Sequence, residues 1–199
     1  PGIVTALCGP SGAGKSTIVA CLLADMTPDA GRVLLRPSAS SSESGESVLS
    51  DIDPAAWRRQ ISWVPQSPTL VPGTILDNMG DLPLDDLNDA AAATGFDDVL
   101  ASAPDGWNTV IGSGGVGLSV GQRQRLALTR ALAAHSQVVI LDEPTAHLDA
   151  VSEETVVRAI DAMRDAGRTV IVIAHRAAMM EAADVVIDVR SAADEEARA

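Results

Sequence analysis

The stretch GPSGAGKST, Gly9–Thr17, constrains this chain more than any other. It follows a short apolar run, GIVTALCG (Gly2–Gly9), that reads as a buried strand. The residues from about Lys15 to Asp25 are predicted to be helical. A G-x-x-x-x-G-K-[ST] loop between a strand and a helix binds phosphate. Its glycines let the backbone wrap closely, so that successive N–H groups point inward as a nest. Lys15 is placed to meet the β- and γ-phosphates of a nucleotide, and the Ser16 hydroxyl to meet Mg²⁺.

A second anchor lies far along the chain. The apolar strand VVILDE (Val138–Glu143) delivers Asp142 and Glu143 to the carboxyl end of a sheet, where ligands bind in such folds. Asp142 is suited to hold Mg²⁺ through water, and Glu143 to orient or deprotonate an attacking water. A third feature raises a question. GLSVGQRQRLALTRAL (Gly117–Leu132) reads as a second helix with a glycine-containing mouth, hence as a second anion-binding helix start.

Between these anchors, GRVLLR (Gly31–Arg36) and ISWVPQ (Ile61–Gln66) read as strands, and the serine-rich Pro37–Ser50 as a surface loop. From about Pro72 to Ala134 the β-branched runs disappear. LDDLNDAAAATG and FDDVLASA read as short helices, and the Gly117–Leu132 segment as the last helix of a helical lobe. Afterwards QVVILDE, RTVIVIAH and DVVIDV read as strands. Val156, Val157, Ile160 and Met163 mark one face of an intervening helix. The tail from Ser191 reads as frayed. Continuous apolar strands alternating with helices give an α/β fold whose mostly parallel sheet is covered on both faces. The division is 1–71 as the first part of a nucleotide-binding core, 72–134 as the lobe and 135–199 as the second part of the core. Hydrophobic residues make up 46% of the 199, with three Trp, one Phe and no Tyr, so the core must be aliphatic. The net charge of -13 disfavours nucleic acid as a partner. Cys8 and Cys21 lack metal or disulfide spacing and read as small buried thiols. Arg123 and Arg125 read as salt-bridged helix residues, and His135 and His147 as ordinary surface histidines.

With these residues in view the chain resembles an ATP-binding cassette, the nucleotide-binding domain of an ABC transporter, over nearly its whole length. LSVGQ (Leu118–Gln122) is similar to the family signature, usually L-S-G-G-Q. Ser119 precedes Asp142 by 142 − 119 = 23 residues, as in the family. Gln66 in VPQSP stands at the Q-loop position, Asp149 in HLDA at the D-loop position, and His175 in VIAHR at the switch-histidine position.

The resemblance implies a P-loop NTPase (RecA-like) fold that binds ATP and Mg²⁺. Gly9, Pro10, Ser11, Gly12, Ala13, Gly14, Lys15, Ser16 and Thr17 would cradle the phosphates. Ser16, Gln66 and Asp142 would serve the metal. Lys15, Gln66, Glu143 and His175 would serve hydrolysis. It also answers the question of the second helix mouth. In the family two cassettes pair head to tail, and Ser119, Gly121, Gln122 and Asp149 complete the partner's ATP site. Gln66 would couple the lobe to a transmembrane domain of the same parent chain. The signature departs from the family at Val120, where glycine is usual. That valine, with ILDNM (Ile75–Met79), is most similar to the CydD-type subunit of a bacterial exporter of cysteine and glutathione. This implies a heterodimer at the cytoplasmic face of the plasma membrane. Only eight residues precede Gly9 and none is aromatic, so the family's adenine-stacking residue and opening strands are expected on a longer parent polypeptide. The competing class is a soluble ABC-type ATPase of DNA repair or translation, which would carry coiled-coil, zinc or tandem-cassette insertions.

Overall fold

The computed structural model describes residues 2–36, 45–115, 117–146 and 150–190. The chain opens with β1 (Val4–Cys8), α1 (Lys15–Leu22), β2 (Leu34–Leu35), β3 (Ser47–Val48), α2 (Pro54–Arg58) and β4 (Ile61–Val64). The lobe contributes β5 (Gly73–Thr74), α3 (Leu84–Thr94), α4 (Asp97–Ser102), β6 (Val110–Ile111) and α5 (Val120–Ala133). β7 (Val138–Asp142), α6 (Ala150–Asp165), β8 (Thr169–Ile173), α7 (Ala177–Glu181) and β9 (Val185–Asp188) close it.

Five strands form one sheet in the order β4-β7-β8-β1-β9, every neighbouring pair parallel. Alternating burial along β1 and β8 sends Val4, Ala6, Val170 and Val172 to one face, against α5 and α6. There the α6 face expected from the sequence is present, with Val156, Ile160 and Met163 fully buried. The opposite face carries Leu7, Ile140 and Ile173 against Val19 of α1 and Leu23 just after it. The α/β fold with a parallel sheet therefore stands. Coverage stops short of the edge, because every residue of β9 is exposed.

A separate apolar cluster holds the lobe. Ile75, Leu87, Phe96, Ile111 and Leu126 are each 2% exposed or less. The lobe is less purely helical than the sequence suggests, since β5 and β6 pair antiparallel inside it. Two-residue strands carry too little periodicity to be read from sequence.

Other expectations need correction. α1 ends at Leu22 rather than near Asp25, because Ala24 turns left-handed at φ 56°. The GRVLLR strand shrinks to Leu34–Leu35 and leaves the main sheet to pair with Ser47–Val48, so part of the expected serine-rich loop is strand. Residues 37–44 of that loop, and the tail from Ser191, lie outside the described residues. The two cysteines are free, as expected, but only half-buried. Arg123 and Arg125 form no ion pair with a carboxylate among the described residues. Their guanidiniums donate to the carbonyls of Leu118, at 2.7 Å, and Gly95, at 3.0 Å. Among the described residues no helix is long and apolar enough to cross a membrane.

Candidate functional site

The phosphate loop takes its shape from backbone dihedrals that side chains disfavour. Gly9 sits at φ 134°, and a Cβ there would come 2.2 Å from the Val189 carbonyl oxygen, so only glycine fits. Gly14, at φ 102°, is the left-handed residue from which α1 starts; a Cβ would meet nothing within 4 Å. The loop is therefore open toward its inner side, as a cradle for an anion requires. Lys15 is 6% exposed, and its Nζ donates to the carbonyls of Gly9 at 2.9 Å and Pro10 at 2.8 Å. Its remaining N–H is available to a phosphate. Ser16 and Thr17 are exposed on the first turn of α1.

The carboxyl end of the sheet supplies the acids. Asp142 ends β7 directly beside Ile173 of β8. Burial pushes the Asp142 carboxyl above its ordinary range; the neighbouring Glu143 adds to the rise, while Lys15 and His175 oppose it. Glu143 follows in the left-handed region, at φ 47°, a conformation uncommon for residues other than glycine and one that clusters at functional sites. Its N–H donates to the Ile173 carbonyl at 3.2 Å. Its two carboxylate oxygens have different partners. Gln66, two residues past β4, donates Nε2 to Oε2 at 2.7 Å, and His175 Nε2 lies 3.0 Å from Oε1.

One cleft is lined by Ser11, Gly12, Gly14, Lys15, Ser16, Thr17, Glu143, Ile173 and His175. Gln66 joins it through Glu143. Gly9, Pro10 and Ala13 belong to the same loop but are not among the residues that line the cleft. Ile173 was not singled out in the sequence; its backbone carbonyl anchors Glu143, which no side-chain pattern announces. Ser119, Gly121 and Gln122 do not line this cleft. They start α5, where Ser119 and Gln122 form a reciprocal cap. Ser119 Oγ accepts from the Gln122 N–H at 3.2 Å, and Gln122 Oε1 accepts from the Ser119 N–H at 2.8 Å. The Ser119 hydroxyl proton stays available to an external acceptor. Val120 is 51% exposed at the first helical position, so its side chain points away from the fold. Asp149 and His147 lie outside the described residues.

The donor set suits ATP with Mg²⁺. Ser16, Asp142 and Gln66 are hard oxygen donors. Among the described residues there is no group of three His, Cys, Asp or Glu able to hold an ion alone. That fits Mg²⁺, which keeps waters and shares its shell with substrate phosphates. When bound it neutralises phosphate charge. A raised Asp142 beside Glu143 is the kind of acid pair that a divalent cation relieves.

The fold and cleft define a P-loop nucleotide-hydrolysing protein. The comparisons name the family: the ABC transporter family model matches residues 1–146, and the chain belongs to that family. It is 41% identical over 196 residues to the ABC-type transporter atr1 of Mycosarcoma maydis, covering 94% of this chain and 14% of that protein. It is also 41% identical over 196 residues to the mycobactin import ATP-binding/permease protein IrtB of Mycolicibacterium thermoresistibile, covering 96% of this chain and 32% of that protein. A bacterial Atm1-family ABC exporter with ATP bound superposes with a TM-score of 0.80 at 28% identity, over 99% of this chain and 35% of that one. The chain thus spans a third or less of the length of these curated relatives. Cassettes of this family bind ATP with Mg²⁺ and hydrolyse it.

Proposed function

We propose that the chain is the ATP-hydrolysing motor of an ABC exporter, acting at the cytoplasmic face of a membrane on transmembrane segments of the same parent polypeptide. The observation that carries this reading is the convergence of Lys15, Ser16, Gln66, Glu143 and His175 on one cleft. Lys15 and the loop N–H groups hold the β- and γ-phosphates. Glu143 takes a proton from the attacking water, and His175 steadies both that carboxylate and the γ-phosphate. Gln66 reports the state of the cleft to the lobe. The chemistry is positioning and charge stabilisation rather than covalent catalysis.

The helix mouth at Ser119, Gly121 and Gln122, remote from the chain's own cleft lining, is assigned to the ATP site of a second cassette, together with Asp149. Residues 72–134 act as a lobe between two parts of the core, 1–71 and 135–199. The finer reading is a CydD-type subunit that pairs with a different cassette in a bacterial exporter of cysteine or glutathione. It rests on Val120 and Ile75–Met79, and thiol-stimulated turnover in the parent transporter tests it.

Turnover of MgATP by the chain alone is expected to be low and to rise per chain with protein concentration, because two chains build each site. Glu143→Gln should lower it by at least about 100-fold, on the scale of losing a general base. Phosphate release measured across a concentration series checks both. Turnover that Glu143→Gln leaves intact would sink the assignment.

A further inference from the structure

His175 meets Glu143 through a side chain that is 44% exposed, so its position depends on how the surrounding backbone is held. On the amino-terminal side the anchor is plain. Ala174 is buried, and its N–H donates to the Leu7 carbonyl at 3.0 Å, continuing the β1–β8 ladder. On the other side the strand has ended. The next residue, Arg176, occupies the N-cap position of the short helix α7 without making a side-chain cap there. Its guanidinium crosses instead to α6, where NH1 donates to Glu153 Oε2 at 2.8 Å.

Glu153 is an unusual surface acid. Its side chain is 15% exposed, and its other oxygen, Oε1, is buried without a partner among the described residues. It sits in the first turn of a 16-residue helix, where the helix N-terminus favours a negative charge. A half-satisfied buried carboxylate is costly, and more so if its one cation is removed. The pair is shielded on the glutamate side only, with the Arg176 side chain 42% exposed, and so holds its geometry more firmly than a fully exposed ion pair would.

We propose that Glu153 and Arg176 are positioning residues for hydrolysis, forming the second of two anchors that flank His175. This rests on the reading of Glu143 and His175 given above. The pair fixes the chain immediately after the histidine, so that its imidazole stays against the Glu143 carboxylate. It also ties that loop to the start of α6, the helix that follows Asp149.

The test compares wild type, Arg176→Ala, Glu153→Gln and Arg176→Lys by crystal structure and by MgATP turnover at a protein concentration where turnover per chain has levelled. In Arg176→Ala, His175 Nε2 should leave its 3.0 Å contact with Glu143. kcat should fall about 10- to 100-fold, the range that a misplacement near 1 Å produces, with KM for ATP changed less than about twofold. Glu153→Gln should fall in the same way, and the double variant no further than either single one. Arg176→Lys should recover most of kcat, because it restores the cation. A His175 that keeps its contact in Arg176→Ala overturns the proposal, whether or not the chain turns over. So does a loss confined to melting temperature, with kcat unchanged. Lys15→Ala and Glu143→Gln run alongside separate the two readings. If both retain wild-type turnover, the functional assignment fails; if both abolish it while Arg176→Ala is silent, only the positioning pair fails.

Discussion

Glu143 is fixed by three contacts from the ends of two strands, β8 and β4: its N–H on Ile173, Gln66 on one carboxylate oxygen and His175 on the other. Its left-handed backbone stores strain on the order of 1–3 kcal/mol, which the surrounding contacts hold in place. Asp142 next to it illustrates how function opposes stability. Its carboxyl titrates above the ordinary value, so the folded state holds that proton more tightly than the unfolded chain does. The group therefore costs nothing below its unfolded value of 3.8. Its cost grows as pH rises from there to the folded value, and it is fully in place at neutral pH. Asp142→Asn is accordingly expected to raise the melting temperature at pH 7, to give no gain below about pH 3.5, and to abolish Mg²⁺-dependent turnover. A melting temperature that falls at pH 7 would contradict this. At this scale the identities of Lys15, Asp142, Glu143 and His175 were legible, since each sits in a short motif with fixed neighbours. Their contacts were not. Gln66 and Glu143 lie 77 residues apart, and no local pattern states that one amide reaches the other's carboxylate. The Glu153–Arg176 pair went unread for the same reason.

Among the elements, α5 does most to join the two halves of the fold. It starts from the Ser119–Gln122 cap, places Leu126 in the lobe cluster and Leu128 in the core cluster, and ends near a buried cation. That cation is Arg168, which donates to the Ala131 carbonyl at 3.2 Å and approaches His135 Nδ1 at 3.1 Å. A guanidinium carries only donors, so Nδ1 must accept and the imidazole proton sits on Nε2, facing Asp86 of α3 at 3.3 Å. His135, a surface residue with its side chain 65% exposed, thus links lobe and core through these two contacts. Arg168→Ala should cost about 1.5–3 kcal/mol, the usual worth of hydrogen bonds to a buried charge. Leu128→Ala should cost about 2–5 kcal/mol through transfer and cavity terms. Urea unfolding measures both, and a loss under about 0.5 kcal/mol in either would show that the junction is looser than the packing implies. Long periodic elements such as α3, α5, α6, β7 and β8 could be read from the chain, because an apolar repeat of several turns or residues is unambiguous. β3, β5 and β6 could not, and β2 could be read only as a longer strand over Gly31–Arg36. Each has two residues, and each exists only because a distant partner accepts its backbone hydrogen bonds.

Over the whole molecule, the parallel sheet brings the phosphate loop after β1, the acids after β7 and the histidine after β8 to a common edge. That edge, rather than any single motif, makes the site. The signature mouth at Ser119 is not among the residues that line the cleft, as the proposed pairing with a second cassette requires. The claim on which the rest depends is that the cleft around Lys15 is the MgATP site. The measurement that tests it most directly is calorimetric titration of MgATP into Glu143→Gln, in which hydrolysis is suppressed, with and without Lys15→Ala. One ATP per chain is expected, with affinity about 10- to 100-fold weaker once the lysine is gone, as the loss of a charge-assisted hydrogen bond requires. Equal affinity in the two variants would contradict the account and place the nucleotide elsewhere.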